Sequence, residues 1–193
     1  MLLETIQGPA ALRKLSLTAL TQLAQEIRTV LLQKLSITGG HTGPNLGVVE
    51  LTIALHTVFE TPIDQLIFDV SHQAYVHKML TGRAQAFIDP AHYADVSGFT
   101  DPQESPYDLF AVGHTSTSLA LANGVAKARD LQAEHYNVVA VIGDGALSGG
   151  LAYEGLNNIV AQGTNTIVIV NDNEHFIAEN HGGLYGNLQA LRV

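Results

Sequence analysis

The chain contains 193 residues, of which 46% are hydrophobic and 14% are charged. This composition is typical of a folded domain with a buried core and argues against disorder. The net charge is −9 and no cluster of Lys and Arg occurs, so nucleic acid and anionic membranes are not expected partners. The absence of cysteine excludes disulfides, thiolate metal sites and a cysteine nucleophile. No signal peptide or membrane-length apolar run is visible, and we expect a cytoplasmic protein.

The first part of the chain is predicted to be helical. Apolar residues at helical spacing predict a helix over 17–36, which Gly39 and Gly40 would end. A second helix is expected near 46–59, with Asn45 as its N-cap.

The remaining elements alternate between strand and helix. In chain order they are a strand over 66–70, a helix over 72–80, an irregular stretch over 82–107, a strand over 109–112, a helix from the turn at 113–116 to about 131, a strand over 138–142, a helix over 148–161 and a strand over 167–170. This order predicts an α/β fold, a parallel sheet of about four strands with helices on both faces.

Two of the predicted strands end in polar residues. Val138–Ile142 is followed by Gly143-Asp144-Gly145, and Ile167–Val170 is followed by Asn171-Asp172-Asn173. If the strands are parallel, both ends lie at the carboxyl edge of the sheet, where α/β proteins bind ligands. The side chains of Asp144 and Asn173 are oxygen donors of the kind that Mg²⁺ prefers.

The glycines around Asp144 suggest a phosphate site of an unusual kind. The spacing of Gly143, Gly145 and Gly149 does not fit the dinucleotide fingerprint, because the third glycine comes one residue late. A carboxylate beside a pyrophosphate would repel it unless a divalent cation lay between them. The pattern therefore favours a phosphate loop that acts through a metal. The alternative is a simple strand-to-helix turn in which Asp144 caps the helix.

Three histidines lie at predicted loop edges: His41, His72 and His114. Each could be a satisfied structural residue, but three at similar loops favour a shared polar pocket for a phosphorylated or carboxylate substrate. A Ser-His-Asp hydrolase is not supported, since no G-x-S-x-G segment occurs. Zinc is not supported either, because no paired His or Cys spacing is present.

These motifs resemble a known family. Gly143-Asp144-Gly145, followed 29 residues after Asp144 by Asn173, is similar to the thiamine diphosphate motif. The sequence as a whole resembles the N-terminal part of the 1-deoxyxylulose-5-phosphate synthase family. The other stretches that carry the resemblance are Gly40-His41, Leu46-Gly47-Val48-Val49-Glu50-Leu51-Thr52, Asp69-Val70-Ser71-His72-Gln73-Ala74-Tyr75, His77-Lys78, Thr81-Gly82-Arg83 and Gly113-His114-Thr115-Ser116-Thr117-Ser118.

The resemblance implies a thiamine-diphosphate-dependent transferase that uses Mg²⁺. Enzymes of this family condense pyruvate with glyceraldehyde 3-phosphate and release carbon dioxide. Their product feeds isoprenoid (terpenoid), thiamine and pyridoxal synthesis.

The resemblance also implies roles for individual residues. The metal ligands would be Asp144, Asn173 and the main-chain carbonyl of His175. The cofactor would be bound by Gly145 and Ala146 through their N–H groups, by Asn173, and by His72, Gly113, His114 and Thr115. The candidate catalytic residues are His41, which would face the reacting carbons, together with His72 and His114.

The sequence departs from the family pattern at two places. Ser71 stands where the family usually has glycine, and His175-Phe176 replaces a Met-Ser pair. If only the main-chain carbonyl of residue 175 binds the metal, the change from Met to His175 leaves the metal site intact. The side chain of Phe176 could crowd the same site.

Residues 1–193 are expected to form a partial pyrophosphate-binding domain, without the pyrimidine-binding and C-terminal domains of the family. Nothing in them matches the glutamate that activates the cofactor's aminopyrimidine. We therefore expect negligible synthase activity from these residues alone. We expect the pyrimidine-binding domain to be supplied in trans, and the protein to form a homodimer. The alternatives are the N-terminal subunit of a split transketolase and a non-catalytic binding module that retains the fold.

Overall fold

The computed structural model describes residues 1–172 and Ala190. They form two compact units. The first contains Met1–Leu66 and Ser71–Gly113, and the second contains Ile67–Val70 and the chain from His114 onward.

The first unit is built on a long helix, α1, which spans Leu17–Thr38. It begins where the Ser16 hydroxyl accepts a hydrogen bond from the backbone N–H of Ala19, and it ends at Gly39, whose φ of 70° is open to glycine. This confirms the helix predicted over 17–36. One face of α1 is buried in an apolar cluster with residues of the short helices that follow. Its buried apolar residues are Leu23, Ala24, Ile27, Val30, Leu31 and Leu35.

Short helices complete the first unit. They are α2 (Thr42–Leu46), α3 (Val49–Val58), α4 (Tyr75–Lys78) and α5 (Gln85–Ile88), with 3₁₀ turns at Leu3–Thr5, Pro9–Lys14 and Pro90–His92 and a π-type turn at Met79–Arg83. The helix predicted over 46–59 is confirmed as α3, which begins at Val49, but the predicted N-cap was wrong because a separate short helix, α2, precedes it. Asn45 lies inside α2, fully buried, because its side chain is bonded to three backbone groups elsewhere in the unit.

The second unit contains a three-stranded parallel sheet in the order β1-β2-β3, formed by Gln65–Phe68, Val138–Gly143 and Thr166–Asn171. The β1 strand begins two residues before this unit does. β2 is the central strand and its apolar residues are fully buried, as expected for a parallel sheet covered by helices. The helices of the unit are α6 (Ser118–Leu131), α7 (Asp144–Leu147) and α8 (Gly150–Gln162). The predicted α/β class is confirmed.

Small residues allow α6 and α8 to pack closely. A Cβ at Gly155 of α8 would lie 2.8 Å from the Cβ of Leu119 and 2.9 Å from the backbone nitrogen of Ala120 in α6. A larger residue at 155 would therefore force the two helices apart.

The strand predicted over 109–112 is absent from the described part of the chain, which has three strands instead of four. The backbone there bonds to side chains. The carbonyl of Phe110 accepts from the Thr100 hydroxyl and that of Val112 accepts from the Ser71 hydroxyl. The apolar run predicted a buried strand, but Leu109, Phe110 and Val112 are only half-buried and Ala111 is exposed.

Among the described residues, no helix is both long and apolar enough to span a membrane.

Candidate functional site

The Gly-Asp-Gly loop follows directly from β2. Gly143 is the last residue of the strand and Asp144 is the first of α7, where it is 4% exposed. In the parallel register, Gly143 lies opposite Asn171. β2 and β3 therefore end at the same edge of the sheet, as the metal-site prediction requires.

Two of the three predicted metal ligands, Asn173 and His175, lie outside the described residues. Within residues 1–172, no group of three or more His, Asp or Glu side chains is placed to hold a metal ion. Asp144 is thus the one predicted ligand whose position can be given. It is buried at the edge where the prediction puts the metal.

The carboxylate of Asp69 organises the turn that precedes α6. It follows β1 and is 1% exposed. Its two oxygens accept hydrogen bonds from the backbone N–H groups of Ser116 (2.8 Å) and Ser118 (2.9 Å). The turn at 114–117 is therefore held by a charge-assisted pair of bonds. Sequence reasoning missed this role, although a carboxylate directly after a buried strand is the same signal that marked Asp144.

The same turn is fastened to the loop after β2. The Ser116 hydroxyl donates to the carbonyl of Ala146 at 2.7 Å. The approach is close enough that a Cβ at Gly149 would lie 2.0 Å from that hydroxyl oxygen. Ser116 itself has a φ of 69°, a strained value for a residue with a side chain. A hydrogen bond thus joins the two loops that carry predicted cofactor residues. One loop contains His114 and Thr115, and the other contains Gly145 and Ala146.

His114 and Gly113 are exposed, and Thr115 is half-buried. The Nδ1 atom of His114 lies 2.9 Å from the carbonyl oxygen of Thr115, to which it must donate. In the neutral ring this leaves Nε2 as a hydrogen-bond acceptor.

The other two predicted histidines meet in the first unit. The ring centroids of His41 and His72 are 5.3 Å apart in an edge-to-face arrangement, and the ring of Phe99 lies 5.7 Å from that of His41. The Nδ1 atom of His41 is 3.4 Å from the hydroxyl of Tyr75. His41 is exposed and His72 half-buried, so the pair reaches the surface of the first unit.

Asn45 holds the two histidine loops together. Its amide nitrogen donates to the backbone carbonyls of His41 (2.7 Å) and His72 (2.8 Å), and its amide oxygen accepts from the N–H of Tyr75 (2.9 Å). Each of these polar groups would be costly to bury without a partner. Asn45 is therefore a second positioning residue that the sequence reasoning missed.

The Ser71 departure has a structural compensation. Ser71 has a φ of 67°, a region that glycine adopts freely and serine rarely. Its buried hydroxyl accepts from the backbone N–H of Thr100 (3.0 Å) and donates to the carbonyl of Val112 (3.3 Å). These two bonds offset the strain that a glycine would avoid.

A buried polar chain in the same unit was not anticipated. His77 Nε2 lies 2.9 Å from Asp108 Oδ1, and His56 Nε2 lies 2.9 Å from His77 Nδ1. Since the carboxylate can only accept, His77 Nε2 carries a proton, neutral His77 accepts from His56, and His56 accepts from the Thr61 hydroxyl.

The environment of this chain sets its ionisation. Burial lowers the pKa of His56 well below its ordinary value and also lowers the pKa of His77, although Asp108 opposes the second shift. The pKa of Asp108 is far below its ordinary value, because hydrogen bonds from His77 and from the guanidinium of Arg83 outweigh its burial.

A family model matches the sequence over almost its whole length. The family model described as 1-deoxy-D-xylulose-5-phosphate synthase matches residues 3–193. The chain belongs to this family.

Individual relatives support the assignment. The chain is 55% identical over 192 residues to a 1-deoxy-D-xylulose-5-phosphate synthase of Brevibacillus brevis, 54% over 188 residues to one of Macrococcus caseolyticus and 52% over 193 residues to one of Symbiobacterium thermophilum. These matches cover 97–100% of this chain but only 30–31% of each relative. The chain therefore spans about a third of the length of the synthases it matches, and corresponds to the N-terminal portion of the family.

The synthase family depends on thiamine diphosphate, and the described residues suit a diphosphate group that is bound together with a divalent cation. Asp144 supplies a hard oxygen donor at the first position of α7. A Cβ placed on Gly143 would meet no atom of the described residues within 4 Å, so they leave space beside the strand end. The donor chemistry therefore fits a diphosphate that is bound through a cation.

Proposed function

We propose that these residues form the pyrophosphate-binding part of a 1-deoxy-D-xylulose-5-phosphate synthase, which condenses pyruvate with glyceraldehyde 3-phosphate and releases carbon dioxide. The observation that carries the proposal is the register of β2 and β3, in which Gly143 and Asn171 are partners. It supports a shared metal site because Asp144 and Asn173 follow the two strand ends by one and two residues.

In this proposal the chain's own residues bind the diphosphate in two ways. Asp144, Asn173 and the carbonyl of His175 hold Mg²⁺, which neutralises the diphosphate charge beside the carboxylate. The backbone N–H groups of Gly145 and Ala146 donate to the phosphate oxygens.

The turn at Gly113, His114 and Thr115 lines the cofactor. The buried carboxylate of Asp69 and the hydroxyl of Ser116 support this assignment, since they hold the turn in one conformation. A preformed turn loses little conformational freedom when a ligand binds.

His41 and His72 contribute to substrate binding and proton transfer. The bound cofactor supplies the nucleophilic carbon that attacks the pyruvate carbonyl and the ring that accepts electrons when carbon dioxide leaves. The rings of His41 and His72 lie edge to face at the surface, and both imidazoles can donate to a carboxylate or phosphate of the substrate.

The proposal extends to the whole protein. Because the chain covers about 30% of its relatives, synthase turnover is proposed for these residues together with a pyrimidine-binding domain and a C-terminal domain of the kind the family contains. A homodimer and a cytoplasmic location are part of the same proposal.

Thermal unfolding with Mg²⁺ and thiamine diphosphate tests the site. At a ligand concentration 100 times Kd, binding should stabilise the chain by about 2.7 kcal/mol. Asp144→Asn should abolish the shift that requires both ligands, because it removes a charged ligand of the ion. Asp130→Asn is the control, since Asp130 is half-exposed at the end of α6 and pairs with Arg129. An equal shift in Asp144→Asn and wild type would contradict the proposed site.

A further inference from the structure

The strongest feature outside the proposed cofactor site is a cluster of four buried charges in the first unit, here called the ionic network: Lys78, Arg83, Glu104 and Asp108. Lys78 Nζ lies 2.5 Å from Glu104 Oε2, and Arg83 makes two 2.7 Å bonds to Asp108. The side chains of Lys78 and Asp108 are fully buried, and those of Arg83 and Glu104 are 11% and 14% exposed.

Ion pairs buried in this way contribute little to the stability of the fold. The loss of hydration commonly equals or exceeds the Coulombic attraction, and apolar residues of the same volume often serve stability as well. What such a network can provide is a single geometry for the groups bonded to it. Its bonds to the backbone therefore show what it could position.

The two carboxylates of the network also bond to the backbone of one loop, 97–108. Glu104 Oε1 accepts from the N–H of Ser97 at 2.6 Å, and Asp108 Oδ2 accepts from the N–H of Asp101 at 2.9 Å. The Ser97 hydroxyl in turn donates to the carbonyl of Phe99 at 2.7 Å. Phe99 is thus fixed from both sides by bonds that depend on the network.

Phe99 is the loop residue whose ring packs against His41. Its ring lies 5.7 Å from the His41 ring, at an interplanar angle of 59°. It is half-buried, whereas His41 is exposed. A shift of the loop would remove Phe99 from His41 and leave that imidazole with fewer ring neighbours.

We propose that the ionic network is a positioning device for His41, acting through the 97–108 loop and the ring of Phe99. The role of His41 in this inference rests on the proposed function. The contact itself does not, because it is formed by side chains of the first unit alone. Lys78, Arg83, Glu104 and Asp108 are therefore positioning residues rather than residues that touch the substrate.

The test is a double-mutant cycle on the full chain, read at His41 without any cofactor. The rate at which diethyl pyrocarbonate modifies His41 is measured by peptide mass spectrometry in wild type, Glu104→Ala, Phe99→Leu and the double variant. Each single variant should raise the rate about fivefold, the factor that corresponds to the loss of an aromatic contact of about 1 kcal/mol. The double variant should react no faster than Phe99→Leu alone.

The control is Asp95→Ala, which breaks the exposed His92–Asp95 pair in the same unit and should leave the rate unchanged. Ser97→Ala is the second variant if Glu104→Ala fails to fold, because Ser97 is exposed and its hydroxyl links Lys78 to the Phe99 carbonyl. It should raise the rate in the same direction.

Two results would overturn the inference. One is an unchanged His41 rate in folded Glu104→Ala and Ser97→Ala. The other is a double variant in which the two increases multiply, since this would show that the network and Phe99 act independently. Failure of Mg²⁺ and thiamine diphosphate to bind would contradict the proposed function but leave this cycle unaffected.

Discussion

The loop at 97–108 in the first unit and the loop at 143–149 in the second are held in place by different physical means. The first depends on buried ions, with Glu104 and Asp108 bridging two cations and two backbone N–H groups. The second depends on close approach, with Gly149 leaving room for the hydroxyl of Ser116. The first loop should therefore be sensitive to a change of charge, and the second to a change of volume.

Removal of a network charge should have the largest effect. Asp108→Ala leaves Arg83 and His77 buried without their carboxylate, which should reduce the free energy of unfolding by about 3–5 kcal/mol. Urea unfolding measures this loss. Asp95→Ala removes the same chemical group from an exposed pair and should leave the midpoint almost unchanged. Similar midpoints for the two variants would show that the network does not hold the first loop.

Added volume in the second loop should have the next largest effect. A Cβ at Gly149 would collide with Ser116, so Gly149→Ala should cost about 1–3 kcal/mol. Gly150→Ala is the matched control, because a Cβ there would meet no atom of residues 1–172 within 4 Å. In a Ser116→Gly background, which removes the colliding side chain, the cost of Gly149→Ala should largely disappear. An undiminished cost in that background would refute the close-approach explanation.

Close to neutral pH, protonation of buried histidines should have the smallest effect on stability of the three. Burial lowers the pKa of His56 and His77. When the pH is below the ordinary histidine pKa, the unfolded chain therefore binds more protons than the folded chain. Their contribution is fully present above about pH 6.5 and declines as the pH falls, by about 1.4 kcal/mol per pH unit for each histidine.

The lowered pKa of Asp108 also makes stability fall as the pH falls, but at lower pH, below about 4, where the carboxyls of the unfolded chain are protonated.

Urea unfolding of wild type and His56→Gln between pH 5 and 7.5 separates the histidine contribution from that of Asp108. The variant should show a shallower decline below pH 6.5. Parallel curves would mean that His56 does not titrate on unfolding.

The features that were predicted from sequence are those set by neighbouring residues. The β2 strand and its Gly-Asp-Gly ending were recognised because a buried run and the turn after it are contiguous. The helix over 17–36 was recognised from its apolar spacing and from the glycine that ends it. Both predictions needed no information about distant parts of the chain.

The features that were missed depend on partners far apart in sequence. Asn45 was interpreted as a helix cap, but its bonds to His72 and Tyr75 span 27 and 30 residues. The ionic network joins residues from Lys78 to Asp108 with no periodicity to reveal it. Asp69 could have been found, since it follows a buried strand as Asp144 does. The strand predicted over 109–112 failed because an apolar run does not reveal whether its carbonyls bond to another strand.

The most direct test of the proposed metal site is the position of a bound cation. Crystals grown with Mn²⁺ and thiamine diphosphate would locate the ion by its anomalous scattering. We predict one peak within bonding distance of the Asp144 carboxylate and the Asn173 amide oxygen, with the diphosphate on its far side. An ion bound with the diphosphate but away from Asp144 would contradict the account.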